Sequence, residues 1–308
     1  MEILKNPSFD FLGKTRIFVT MSLLVILGGI AYMAVNGVRY GVEFSGGTQL
    51  VVKLRSQPQV DRIREAVGKA APGAVIQTYD EPSKNQVLIR LAGAGEGSIE
   101  GPSQAVLKAL SDSYGDNPVV EHSAEIVGPV VGKELLDRAR WLTILGLLFQ
   151  LIYIAVRFKG AIWGAAATVA AFHDVLVTLG FLAVFGYEIT LNVIAALLTL
   201  VGYSVNDTIV IFDRARENLR HKRKEPLSKV LNDSVNQTLT RTLISNGTTF
   251  LAVLGLYLFG GEVLRGFAFA MVVGIVVGTY STIYIASPVV VWWQSVSKRG
   301  QPAAKAAL

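Results

Sequence analysis

Six apolar runs decide what this chain can fold into: residues 17–35, 141–156, 161–185, 189–212, 242–259 and 267–292. A helix gains about 1.5 Å per residue, so about 20 apolar residues cross roughly 30 Å of hydrocarbon. The second run is short and the last is long, which implies tilt at both. Lipid offers backbone groups no hydrogen-bond partner, and a helix satisfies them within its own segment. The runs therefore predict a polytopic α-helical membrane protein with six transmembrane helices.

Composition points the same way. The 308 residues are 51% hydrophobic and 17% charged, against about 25% charged in an average soluble domain, and the mean hydropathy is +0.45. The net charge of +6 is not a nucleic-acid signature, because Lys and Arg stand beside apolar runs as the positive-inside bias places them. Cysteine is absent, and His122, His173 and His221 show no ligand spacing, so neither a metal nor another cofactor is expected.

The basic residues also orient the chain. They fill the N-terminus (Lys5, Lys14, Arg16), the 157–160 turn, the 213–240 loop and the tail, whereas the opposite connections, 186–188 and 260–265, hold only Arg265. Both termini are expected in the cytoplasm. The predicted order is a cytoplasmic N-terminus (1–16), a retained anchor helix (17–35), an external domain (36–140), five more spans with a cytoplasmic loop at 213–240 (141–292), and a cytoplasmic tail (293–308). Within 213–240, an amphipathic helix broken near Pro226 is expected, lying at lipid headgroups or serving as a docking surface.

The external segment has the size of a small domain. Residues 41–55 alternate like a strand through Thr48, Leu50, Val52 and Leu54, and Gly46 and Gly47 mark a bulge or a close backbone approach. A helix at 58–70, strands at 74–79 and 86–91 joined by a turn at 81–85, a flexible connection at 93–101, a helix at 103–114 and a strand at 119–127 follow. The order βαββαβ predicts a ferredoxin-like α+β unit. No catalytic cluster is visible in it, which suggests a binding or lever module.

The polar residues inside the apolar runs carry the functional signal. Residues 202–218, GYSVNDTIVIFDRAREN, place Asn206 and Asp207 within a span and end it with Asp213, Arg214 and Arg216. A charged side chain at bilayer depth costs roughly 2.5–3.5 kcal/mol on insertion scales, so it marks a protein interior or an ion path. Asn192, Thr199, Asn206 and Asp213 recur every seven residues and form one stripe, with Asp207 beside it. Counted from the ends of the apolar runs, Asp174 lies about 20 Å and Asp207 about 8 Å from the cytoplasmic side. Arg241 opens the fifth span near that side and either reaches inward to Asp207 or snorkels to the headgroups. Asp174, next to His173, either bonds between helices or carries a proton. Gly202, Gly274 and Gly278 are helix-packing candidates, the last two as a GxxxG pair.

Burial favours a protonated carboxyl and an approaching Arg favours an ionised one. A helix movement that alternates the two environments loads and releases one proton. A membrane potential of about 100 mV supplies roughly 2.3 kcal/mol per charge moved.

Five motifs in order, GVEFSGGT at 41–48, FHDVLVTLGF at 172–181, GYSVNDTIVIFDRAREN at 202–218, TLTRTLISNGTT at 238–249 and GFAFAMVVGIVVGTYSTIYIASP at 266–288, resemble the SecF side of the SecD/SecF family of the resistance-nodulation-division superfamily. The likeness covers 9–292. It implies a partnership with SecD in a twelve-span unit of the bacterial inner membrane that uses the proton motive force to promote late steps of export through SecYEG. It also implies Asp207 and Arg241 in the proton path, with external domains handling the translocating polypeptide. Three other classes compete with this one: a small-molecule exporter of the same superfamily, for which about 100 external residues leave little room; a non-transporting translocase scaffold; and an intramembrane aspartyl protease using Asp174 and Asp207. No GxGD-like loop precedes either aspartate, and their estimated depths differ by about 12 Å, so a transporter component is expected and not an enzyme.

Overall fold

The computed structural model describes residues 7–79, 82–92, 101–158, 161–221 and 224–299. Residue 81 of the expected turn, the connection at 93–100, Lys5, Lys159, Lys222, Arg223 and the end of the tail lie outside these residues. Among the described residues, five helical stretches are long and apolar enough to cross a membrane: Leu12–Asn36, Ile162–Val184, Leu191–His221, Leu227–Phe259 and Val263–Val296.

Helix α1 (Thr15–Asn36) leads through α2 (Val42–Ser45) into a four-stranded sheet of β1 (Gly47–Leu54), β2 (Val75–Tyr79), β3 (Gln86–Ala92) and β4 (Val119–Val127). Between the strands lie α3 (Val60–Gly68) and α4 (Gly101–Ser113). The strand order is β2-β3-β1-β4 and every pairing is antiparallel. Period-2 alternation sets one apolar face: Leu50 opposes Ile89, Val52 opposes Val87, and Ile76 opposes Ile89 on the other side. These residues bury against Ile63 and Val67 of α3 and Val106 and Leu110 of α4.

The first strand is shorter than expected. Residues 42–45 form a helical turn closed by Phe44 and Ser45 N–H groups on the Gly41 carbonyl, and the strand starts at Gly47. Gly46 and Gly47, with φ of 70° and 139°, turn the chain between them. Their backbone also meets another element closely, since a Cβ on Gly132 would lie 3.0 Å from Gly46 N.

Gly132 belongs to α5 (Pro129–Phe158), a single helix running out of the sheet domain and through the expected second span, so residues 140 and 141 are successive positions of one helix. Then come α6 (Ala161–Val184), α7 (Leu191–His221), α8 (Leu227–Phe259) and α9 (Glu262–Ser281), which passes through a π-helical turn, Thr282–Ala286, into α10 (Ser287–Arg299). The 213–240 loop is thus two helix extensions meeting near Pro226, the N-cap of α8. Polar ties hold them in place: Asn218 Nδ2 donates to Ser234 Oγ at 2.9 Å and Arg214 Nε to Gln237 at 2.6 Å.

The sheet domain is docked on the α6–α7 turn. Gly41 N–H donates to the Ile189 carbonyl at 3.0 Å, and Ile189 N–H to the Arg39 carbonyl at 2.8 Å. Arg90, on the helix-free face of β3, pairs with Glu188. Burial pushes the Glu188 carboxyl above the ordinary glutamate range, against the pull of Arg90.

Candidate functional site

Small residues let two pairs of helices approach closely. A Cβ on Gly274 would stand 2.5 Å from Leu200, and one on Gly278 3.1 Å from Ser204 Cβ, so both glycines seat α9 against α7. On the other flank, a Cβ on Gly29 would meet the Gly180 Cα at 2.9 Å, which brings α1 onto α6. Gly202 does not share this role: it is exposed, and a Cβ there would touch only Gln150 at 3.4 Å.

Polar side chains line the α6–α7–α9 seam. Asp174 is 0% exposed. Its Oδ2 accepts from Ser204 Oγ at 2.5 Å and Ser281 Oγ at 2.9 Å, and its Oδ1 lies 2.9 Å from His173 Nδ1. His173 Nε2 lies 2.9 Å from Ser22 Oγ on α1, and Ser22 Oγ lies 2.7 Å from the Tyr280 hydroxyl. One turn along α7, the Thr208 and Thr282 hydroxyls are 3.1 Å apart, at the start of the π-turn. Such turns recur at functional sites because they re-aim side chains within a helix.

Asp207, 5% exposed, faces α8 instead. Asn246 Nδ2 donates to Asp207 Oδ2 at 2.5 Å and to Thr279 Oγ1 at 2.5 Å. Arg241 is exposed and forms no salt bridge with Asp207. Asn206 and Thr199 are exposed, so the seven-residue stripe lies on the outer face of α7. Asp213 ends it in an ion pair with Arg157 of α5 at 2.6 Å.

The two aspartates differ less in depth than their counts imply. Ser204 binds Asp174 and precedes Asp207 by three residues, about 4.5 Å of rise. The apolar run at 189–212 ends inside a helix that continues to His221, so run ends are not level marks. The carboxyls still share no partner. Sequence reasoning missed Asn246, Ser204, Ser281 and Ser22; the signal for Ser22 is a hydroxyl side chain within the apolar run of α1.

Where the sheet meets the α6–α7 turn there is a cavity of about 570 Å³, lined by Glu43, Arg90, Glu125, Glu188 and Arg265 among others. Its size is that of a small-molecule pocket, so room alone does not set an exporter aside; its charged lining is unlike the mostly apolar walls of such pockets.

A multi-pass helical membrane protein with a small antiparallel sheet domain and carboxylates sealed inside its bundle is the class that this fold and site define. Residues 106–296 match the family described as protein export membrane protein SecD/SecF, C-terminal, and residues 31–58 match the SecD/SecF GG motif. The chain belongs to the SecD/SecF family of protein-export membrane proteins. It is 40% identical over 303 residues to protein translocase subunit SecF of Calditerrivibrio nitroreducens, covering 97% of this chain and 99% of that one. The SecF subunit of Escherichia coli O157:H7 is 37% identical over 286 residues, or 91% of this chain and 86% of that one. Among solved structures, SecDF from Thermus thermophilus, described as a translocon-associated membrane protein, matches with a TM-score of 0.82 at 36% identity. That match takes in 94% of this chain and 39% of the longer SecDF chain. SecDF in its super-membrane-facing form matches with a TM-score of 0.71, over 96% of this chain and 40% of that one.

Proposed function

We propose that this chain is the SecF half of a SecD–SecF unit, an auxiliary subunit of the Sec protein translocase that draws on the proton motive force in late steps of protein export. The observation that carries this reading is the setting of Asp207: a carboxyl buried against Asn246, on a helix whose neighbouring face, about a quarter-turn away, exposes Thr199 and Asn206 at membrane depth. Polar side chains at that depth call for a protein cover rather than lipid. The likeness to a SecDF chain more than twice as long supports SecD as that cover.

In this reading α5 is the sixth span, although its apolar stretch is short, and the βαββαβ order with its antiparallel β2-β3-β1-β4 sheet supports a ferredoxin-like external domain. The chain sits in the bacterial inner membrane with both termini cytoplasmic, SecYEG beside it and the translocating polypeptide near the external domain. Lipids cover the apolar faces of α1 and α5, where Leu24 and Phe149 are 65% and 69% exposed. Asp207 carries the proton, Arg241 supplies the charge that favours its release when α8 moves, and Asn206, Asp174 and Asp213 line the path. No nucleic acid, metal or organic cofactor enters the scheme, and the chain is a transport component rather than an enzyme.

The test is export in vesicles holding this chain, SecD and SecYEG, with proton and sodium gradients set independently. The wild type should respond to the proton gradient, and Asp207→Asn should assemble but lose that response. A response to sodium alone would replace the coupling ion, and failure of Asp207→Asn to assemble would favour a scaffold.

A further inference from the structure

The direction of hydrogen bonds can be counted outward from a carbonyl, because a carbonyl oxygen only accepts. The Tyr280 hydroxyl stands 2.5 Å from the Phe18 carbonyl oxygen, so the phenol proton points there. Tyr280 then has only lone pairs to offer Ser22 Oγ, 2.7 Å away, and the one Ser22 proton is committed to Tyr280. Ser22 Oγ lies 2.9 Å from His173 Nε2 and has no second proton to give. His173 Nε2 is therefore the donor in that contact. At the other ring nitrogen, Nδ1 lies 2.9 Å from Asp174 Oδ1. A bare Nδ1 facing an ionised carboxylate would set two lone pairs against each other in a site that is 7% exposed at His173 and 0% at Asp174. A second proton lies between them, carried either by an imidazolium or by the carboxyl.

We infer that His173 and Asp174 form a proton-holding pair, locked in its loaded state by the chain Ser22, Tyr280 and the Phe18 carbonyl. A neutral imidazole beside an ionised aspartate carries one proton; this arrangement requires two. Release balances as follows. The Nε2 proton leaves to water, the second proton stays on Nδ1 or passes to it from the Asp174 carboxyl so that Nδ1–H donates to the ionised Asp174, and the bare Nε2 accepts from Ser22, which must first turn its proton away from Tyr280. Separation of Ser22 from Tyr280 is the unlocking step.

That places control in α1. Ser22 and the Phe18 carbonyl belong to α1, while Tyr280 belongs to α9, so a shift of α1 against α9 breaks the chain. The groups facing the pair are Ser22 from α1, Ser204 from α7, and Tyr280 and Ser281 from α9, with the Tyr284 ring 5.4 Å from that of Tyr280. The other buried carboxyl, Asp207 of α7, is turned to Asn246. The inference rests on hydrogen-bond directions and stands or falls apart from the transport reading.

Solid-state nitrogen NMR of the full chain in lipid bilayers, with labelled histidine and a His173→Gln variant to assign the signal, reads both ring nitrogens. At neutral pH the wild type should show a protonated Nε2 at His173. Tyr280→Phe keeps the ring but removes the acceptor for Ser22, so Ser22 should donate to Nε2 and its resonance should move to the unprotonated range. A bare Nε2 in the wild type, or an Nε2 still protonated in Tyr280→Phe, overturns the inference. Should Tyr280→Phe fail to fold, the wild-type spectrum decides alone.

Discussion

Asn246 Nδ2 lies 2.5 Å from the Asp207 carboxyl and 2.5 Å from the Thr279 hydroxyl, so one amide on α8 ties α7 to α9. Thr279 sends its own proton to the Ile275 carbonyl at 2.8 Å, which leaves its oxygen to accept. Asn246→Ala strips the buried Asp207 and the half-buried Thr279 of a partner at once. The expected loss is about 1–3 kcal/mol, read as a lower unfolding midpoint in detergent. An unchanged midpoint would mean that the carboxyl does not depend on the amide.

The α1–α6 contact offers a paired test one residue apart. A Cβ on Gly29 would press on the Gly180 backbone at 2.9 Å, whereas one on Gly28 would meet nothing within 4 Å. Gly29→Ala should destabilise by about 1–3 kcal/mol, because backbone must move, and Gly28→Ala should be neutral or slightly stabilising. Equal midpoints for the two variants would contradict the close packing.

Docking of the sheet domain should depend on pH through Glu188. Burial raises this carboxyl above the ordinary glutamate range. A group raised in the docked state holds its proton more tightly there, so docking is favoured at acid pH and weakens as pH rises through the elevated midpoint. Exchange of the Ile189 amide, which donates to Arg39, should quicken across that window beyond its intrinsic pH dependence. Glu188→Gln should abolish the excess, and an opposite slope would be inconsistent with the burial.

The N-terminal segment is held by two asparagines of α8. Asn236 Oδ1 accepts from Phe9 N–H at 2.9 Å, and Asn232 Oδ1 from Phe11 N–H at 2.9 Å. Asn236→Ala should speed exchange at the Phe9 amide by about tenfold, the equivalent of about 1.4 kcal/mol, while sparing the β1 amides. No change at Phe9 would show the segment held by other contacts.

Local pattern explains how much of this was visible in the sequence. The sheet domain is legible because alternation fixes which face is buried, and β4 spans 119–127 as the pattern predicts. The start of β1 is not, because residues 42–45 close on the Gly41 carbonyl instead of pairing. Helix ends beyond the apolar runs are also hidden: Arg214 and Arg216 mark where apolar sequence stops, but ties such as Asn218 to Ser234 carry α7 and α8 further. Asp207 stands out as a carboxyl in an apolar run, yet its partner Asn246 is 39 residues away, and periodicity does not say which faces meet. Arg241, the more obvious partner by charge, faces outward.

In the proposed scheme Asp207 gains and loses a proton as the assembled complex works. Infrared difference spectra of vesicles containing this chain, SecD and SecYEG, recorded as a proton gradient is imposed and collapsed, measure this directly. A protonated-carboxyl band that rises and falls with the gradient and vanishes in Asp207→Asn is the predicted result. A carboxyl that stays ionised throughout, with export still driven by the gradient in Asp207→Asn, would contradict it.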